Sequence, residues 1–123
     1  MKRDFKLFLN DIIAACKHIQ KFVEGMDFEQ FQDDEKTSSA VIRKFEIIGE
    51  AAKNIPDFIK EKYPQIDWKD MAGMRDRLIH GYFGVDYLLV WETIEYDVPR
   101  IISIISQIIK DLEQEQDTET TGN

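Results

Sequence analysis

The chain has 123 residues, 43% hydrophobic and 33% charged, with 24 acids against 16 Lys and Arg and a formal charge of −8. These values fit one folded domain with its own core and exclude a disordered chain. The single cysteine, Cys16, excludes an internal disulfide framework and multi-cysteine metal sites, and no apolar run approaches the roughly 18 residues of a membrane span.

Phe5, Leu9, Ile12, Ile13, Cys16, Ile19 and Val23 recur at three- and four-residue steps, which predicts an amphipathic first helix ended by Gly25. Asp27 caps a short turn carrying Phe28 and Phe31. A second long helix is expected to start between Asp33 and Thr37, with Val41, Phe45, Ile48, Ala52 and Ile55 on its stripe and Pro56 as its stop. A third runs from Asp67 through Trp68, Met71, Met74 and Leu78, with Gly81 supplying its end. Asp86 caps the last helix, which Pro99 should kink near Glu95. The fold expected is all-α: an antiparallel bundle of four main helices plus short ones.

Ile101, Ile102, Ile104, Ile105, Ile108 and Ile109 cover more than one stripe of the last helix. They read either as a second buried face, and so a dimer interface, or as a central helix surrounded by its own chain. After Leu112 there is no large apolar residue, and Asp111, Glu113, Glu115, Asp117 and Glu119 stand without a base. Residues 1–112 are therefore read as the domain and 113–123 as an acidic, disordered tail. Without the five acids the rest of the chain carries −3.

The chemistry concentrates in Met74 to Asp86, where Arg75, Asp76, Arg77, His80 and Tyr82 surround a helix end and Gly81 and Gly84 flank the tyrosine. Arginine offers a permanent charge and a planar fork for phosphate. Histidine exchanges protons near neutral pH. Together they can cleave an RNA backbone without a metal or other cofactor. On a regular helix Asp76 and His80 share a face, and a His80 at the helix C-terminus above Asp76 favours its charged form. Arg75 and His80 would lie about 140° apart. They converge only if the helix ends at His80 or if two chains face one cleft. A two-chain cleft would also supply both the acid and the base that one motif histidine cannot.

Arg75-x4-His80-x-Tyr82, with Asp76 directly after the arginine, resembles the HEPN ribonuclease motif. With Ile47-Ile48-Gly49-Glu50-Ala51-Ala52 and Arg77 to Phe83, the likeness narrows to HepT-like toxins and covers the chain to about Leu112. The resemblance implies a HEPN-like homodimer, with Arg75 and His80 as catalytic residues of metal-independent RNA cleavage and Asp76 in support. It also implies that Tyr82 accepts AMP from a nucleotidyltransferase antitoxin of the MntA type. No cofactor, membrane or DNA partner is expected, and the location expected is cytoplasmic.

Arg77 reads either as structural or as a phosphate contact, and Glu50 and Gly81 as supporting residues. Glu46 and Glu50 share a helix face, but no Glu-x-x-His pair exists to build a di-metal bundle. The plain alternative for Arg75 and His80 is surface pairing with Asp76 and Asp70. The alternative function is a catalytically weak HEPN module that docks to a nucleotidyltransferase or binds nucleotide.

Overall fold

In the computed structural model, which describes residues 4–80 and 84–121, an aspartate starts five of the helices. Asp4, Asp27, Asp34, Asp67 and Asp86 each accept a first-turn backbone N–H, at 3.0, 2.8, 3.0, 2.9 and 3.1 Å. The helices are α1 (Phe5–Phe22), α2 (Phe28–Asp33), α3 (Glu35–Lys53), α4 (Asp57–Lys62), α5 (Trp68–Ala72), α6 (Met74–Leu78), α7 (Tyr87–Glu92) and α8 (Val98–Thr121). A π-helical segment, Thr93–Asp97, joins α7 to α8. The only strand-like pairing among the described residues is one bridge, Ile79 to Val85. The protein is all-α, as expected.

The core follows the apolar stripes. Leu9, Ile12, Cys16 and Ile19 of α1 are buried between Val41, Phe45 and Ile48 of α3 and Val98, Ile105 and Ile108 of α8. Phe31 of α2 closes one end, its ring 5.4 Å from Trp91. Burial pushes the Cys16 thiol up to about 12, so it is an inert core group. On α8, Ile101, Ile105 and Ile108 are buried, while Ile102, Ile104 and Ile109 flank the core half-covered. The helix is therefore not fully wrapped by its own chain.

Pro99 acts where expected, and the distortion has a specific form. It lacks an N–H and its ring opposes the carbonyl four residues back, Glu95. The helix widens into π geometry from Thr93 to Asp97. The third predicted helix, by contrast, is two. Gly73 ends α5 and starts α6, so the Asp67–Leu78 stretch bends against α3. α8 continues as helix through the acidic segment to Thr121. Residues 113–121 contain neither Gly nor Pro, and Glu and Gln are good helix formers.

Two contacts tie the start of that segment to α4. The Tyr63 hydroxyl donates to Asp111 at 2.6 Å, and Lys62 pairs with Glu115 at 2.8 Å. Burial and then the bond to Asp111 push the Tyr63 hydroxyl up to about 12. The Tyr63 and Gln107 donors hold the Asp111 carboxyl below its usual range. A raised tyrosine contributes stability below its unfolded pKa, near 10, and loses it as pH rises through about 12. A depressed carboxyl contributes above its unfolded pKa, near 4, and loses it as pH falls. Tyr63→Phe is thus expected to lower Tm by a few degrees, evenly from about pH 5 to 9, with the gap to wild type narrowing below about pH 4. Thermal melts across pH check this.

Candidate active site

Gly49 sets the register of the site. A Cβ built there would lie 3.1 Å from the Ala72 carbonyl oxygen and 3.5 Å from that of Met71. Without it, the end of α5 rests directly on α3. Three residues earlier on α3 and three later past Ala72 stand Glu46 and Arg75, and these two also meet. Arg75 Nε donates to Glu46 Oε1 at 3.3 Å. The paired positions advance on one side as they retreat on the other, so the chain from the end of α5 into α6 runs counter to α3.

Between the two elements lies an open cleft of about 280 Å³, lined by Arg43, Glu46, Glu50, Lys53, Arg75 and Asp76 among others. Three cations face three carboxylates in that group. Arg75 NH1 lies 3.5 Å from Asp76 Oδ1, and Arg43 NH1 is 3.2 Å from Glu46 Oε2. Glu50 is exposed and pairs with Lys53 at 3.2 Å. Arg75 is half-exposed. Glu46 occupies its Nε–H and Asp76 lies on Nη1, so Nη2 is the terminal group left most free to meet an anion in the cleft.

His80 does not lie on the helix. α6 stops at Leu78, before Gly81, because the next residues pair with residues 84–86 a few positions further on. Ile79 bridges Val85, the His80 N–H donates to the Gly84 carbonyl at 2.9 Å, and the Asp86 N–H donates to the Leu78 carbonyl at 2.9 Å. Gly84 has φ +78°, which suits a residue without Cβ. The expected stacking of His80 above Asp76 on one helix face therefore does not occur. The carboxylate beside the imidazole is Asp86, with Oδ2 3.8 Å from His80 Nε2. Asp86 Oδ1 is fixed by its cap bond to Leu89 N–H. Nor does His80 pair with Asp70, as plain surface pairing would require.

Arg77 points elsewhere. Its NH1 lies 3.5 Å from Asp70 and its NH2 3.7 Å from Asp97 in the π segment, and its Nε and NH2 are buried. It ties α6 to α5 and to the π segment, which favours the structural reading over a phosphate contact. Gly81 and Tyr82 lie outside the described residues. His18 is exposed and stacks on Phe22. Among the described residues, no group of three or more His, Cys, Asp or Glu is placed to hold a metal ion. No helix of the described residues is long and apolar enough to cross a membrane. Sequence reasoning missed Arg43 and took Asp86 only as a cap. Arg43 was readable, since Arg43, Glu46, Glu50 and Lys53 recur at steps of three and four along one face of α3.

The fold and these side chains define an all-α domain with an arginine-bearing cleft and a histidine just beyond the helix that carries the arginine. The family model described as ribonuclease HepT-like matches residues 12–108. "Putative RNase MJ0125" of Methanocaldococcus jannaschii is 54% identical over 113 residues, covering 92% of this chain and 97% of the relative. "Putative RNase MJ1216" of the same organism is 52% identical over 112 residues, 91% of this chain and 93% of the relative. "Probable ribonuclease HepT" of Thermococcus cleftensis is 50% identical over 101 residues, 82% and 92% of the two chains. No solved structure matches the chain. The chain belongs to the HepT-like ribonuclease family.

Proposed function

We propose that the protein is a metal-independent endoribonuclease whose working site is a cleft between two copies of the chain. The observation that carries this reading is the divided geometry. Arg75 is held in an open cleft by Glu46, while His80 stands beyond the helix end and is not among the residues lining that cleft. A second chain packed with its motif facing this one sets a second Arg75 and a second His80 across the interface, so groups that one chain holds apart meet between two.

In such a site one His80 takes the proton of the ribose 2′-hydroxyl and the 2′-oxygen attacks phosphorus. The bond to the 5′-oxygen breaks, and the second His80 protonates that leaving oxygen. The products are a 2′,3′-cyclic phosphate and a 5′-hydroxyl. The Arg75 fork stabilises the charge gathering on the phosphoryl oxygens. Asp86, locked by its cap bond, steadies the imidazole. Asp76 lies against Arg75 and acts through it.

The protein then serves as the toxin of a cytoplasmic toxin–antitoxin pair. Its antitoxin is a nucleotidyltransferase of the MntA type, which transfers AMP from ATP to the Tyr82 hydroxyl and releases pyrophosphate. The phosphate so added brings negative charge that repels RNA. Incubation with ATP and such an enzyme is expected to raise the mass by one AMP on the peptide holding Tyr82 and to stop cleavage. An unmodified Tyr82 in a silenced sample would count against this regulation. The even balance of charge in the cleft favours, as a second reading, a weak module that binds nucleotide or a nucleotidyltransferase. Failure of the unmodified protein to cut RNA in EDTA would select it.

A further inference from the structure

We infer that Glu46 is a positioning residue for Arg75 and that Arg43 is a second phosphate contact, so the cleft grips RNA by two adjacent phosphates. This rests on the reading of the cleft as a ribonuclease site. One carboxylate spans two guanidinium groups: Oε1 accepts from Arg75 Nε at 3.3 Å and Oε2 accepts from Arg43 NH1 at 3.2 Å. Glu46 is the least exposed of the three side chains, at 30% against 54% for Arg75 and 69% for Arg43. It is therefore the fixed member, and the arginines are the members free to reach a ligand.

Each guanidinium has five N–H donors; Glu46 takes one from each and Asp76 takes one more from Arg75, at 3.5 Å, which leaves three on Arg75 and four on Arg43. The remaining edges belong to two forks held by a single carboxylate. Arg43 also lines a second cleft, of about 290 Å³, against Val85 and Tyr87, which flank the Asp86 that faces His80. Arg43 and Glu46 line both clefts, so the pair stands between the Arg75 cleft and the segment that carries Asp86. Plain pairing of Arg43 with Glu46 on one helix turn would leave Arg75 out; the bridge to α6 is what makes the arrangement more than local.

The signature separates this from a structural role. Glu46→Gln keeps the shape but removes a charge that repels RNA and one of the two anchoring oxygens. Ground-state binding should tighten while Arg75 loses its orientation. The expected result is kcat lower by about ten- to a hundredfold with KM lower by a few fold. Glu46→Asp, which keeps the charge, should recover part of kcat. Arg43→Ala should act mainly on KM. It should also reduce the slope of log binding against log salt by about 0.7 for a single-stranded oligonucleotide carrying 2′-O-methyl groups, which cannot be cleaved.

These are measured by steady-state cleavage and fluorescence anisotropy, with melts run on each variant. An unchanged kcat and KM in Glu46→Gln, or a loss that follows the melting temperature, overturns the Glu46 role. An unchanged salt slope in Arg43→Ala overturns the second contact. If Arg75→Ala abolishes cleavage while the Glu46 and Arg43 variants behave as wild type, only this inference fails. If Arg75→Ala cuts normally, the site reading fails with it.

Discussion

His80→Ala is expected to lower RNA cleavage by about a thousandfold, roughly 4 kcal/mol of transition-state stabilisation, without loss of fold. The size follows from the proposed role, in which one imidazole takes the 2′-hydroxyl proton and the other gives a proton to the leaving oxygen. His80 and Arg75 are each about half-exposed, at 52% and 54%, so removing either side chain leaves no buried cavity. Arg75→Ala should cost about a hundred- to a thousandfold. Arg75→Lys should recover little, because a point charge cannot reproduce a fork that meets Glu46 with one edge and phosphate with another. Cleavage kinetics together with melting curves check these values. A His80→Ala protein that melts like wild type and cuts at a wild-type rate would remove His80 from the reaction.

Gly49→Val should lower stability by about 1–3 kcal/mol and cleavage by at least tenfold. The first added carbon already meets the Ala72 carbonyl at 3.1 Å, and that atom is backbone, so it cannot swing away. A branched side chain drives α5 from α3. Because Glu46 and Arg75 meet one turn further along the same contact, the guanidinium moves with it. Gly49→Ala is the informative lesser change. Its gain in helix propensity, about 1 kcal/mol, opposes the tight contact. Stability should then stay near wild type while cleavage falls, since a shift of a few tenths of an ångström is enough to disturb the Arg75 pair. Wild-type melting and cleavage in Gly49→Val would show that the close approach does not place the arginine.

What could be read in the sequence is what local chemistry decides. An aspartate at a helix start forms its bond within three residues, so Asp27 and Asp86 were legible as caps, and the starts at Asp34 and Asp67 fell where helices were expected to begin. Pro99 disturbs the turn before it by its own ring, so the distortion around Glu95 was readable too. The apolar period placed Leu9, Phe45 and Ile105 in the core. The break at Gly73 was hidden, because the apolar period runs through it unbroken and a single glycine, at about 1 kcal/mol, weakens a helix without ending it. The end of α6 at Leu78 was also hidden. It depends on bonds that Leu78 and His80 make to Asp86 and Gly84, beyond the Gly81 that the sequence offers as the stop.

The candidate site shows the same division. Arg75, Asp76 and His80 are visible as residue types at a spacing, and the family resemblance names them. Their partners are not visible, because each comes from another element: Glu46 from α3 for Arg75, Asp97 from the π segment for Arg77, and Asp86 from beyond the reversal for His80. In the fold Arg75 and Arg77 each face two carboxylates, of which only Asp76 and Asp70 were offered as partners by the sequence. On the proposed reading, RNA is held by the donor N–H groups left over rather than by a net positive field.

The most direct test is cleavage of single-stranded RNA in excess EDTA by the unmodified wild-type protein and by His80→Ala, with the oligomeric state of both measured in the same buffer. The expected result is a dimer in both cases. The wild type should leave 2′,3′-cyclic phosphate ends, and the variant should be inactive. Wild-type protein that is dimeric and unmodified but leaves RNA intact in EDTA would contradict the proposed reaction, and so would equal cleavage by the two proteins.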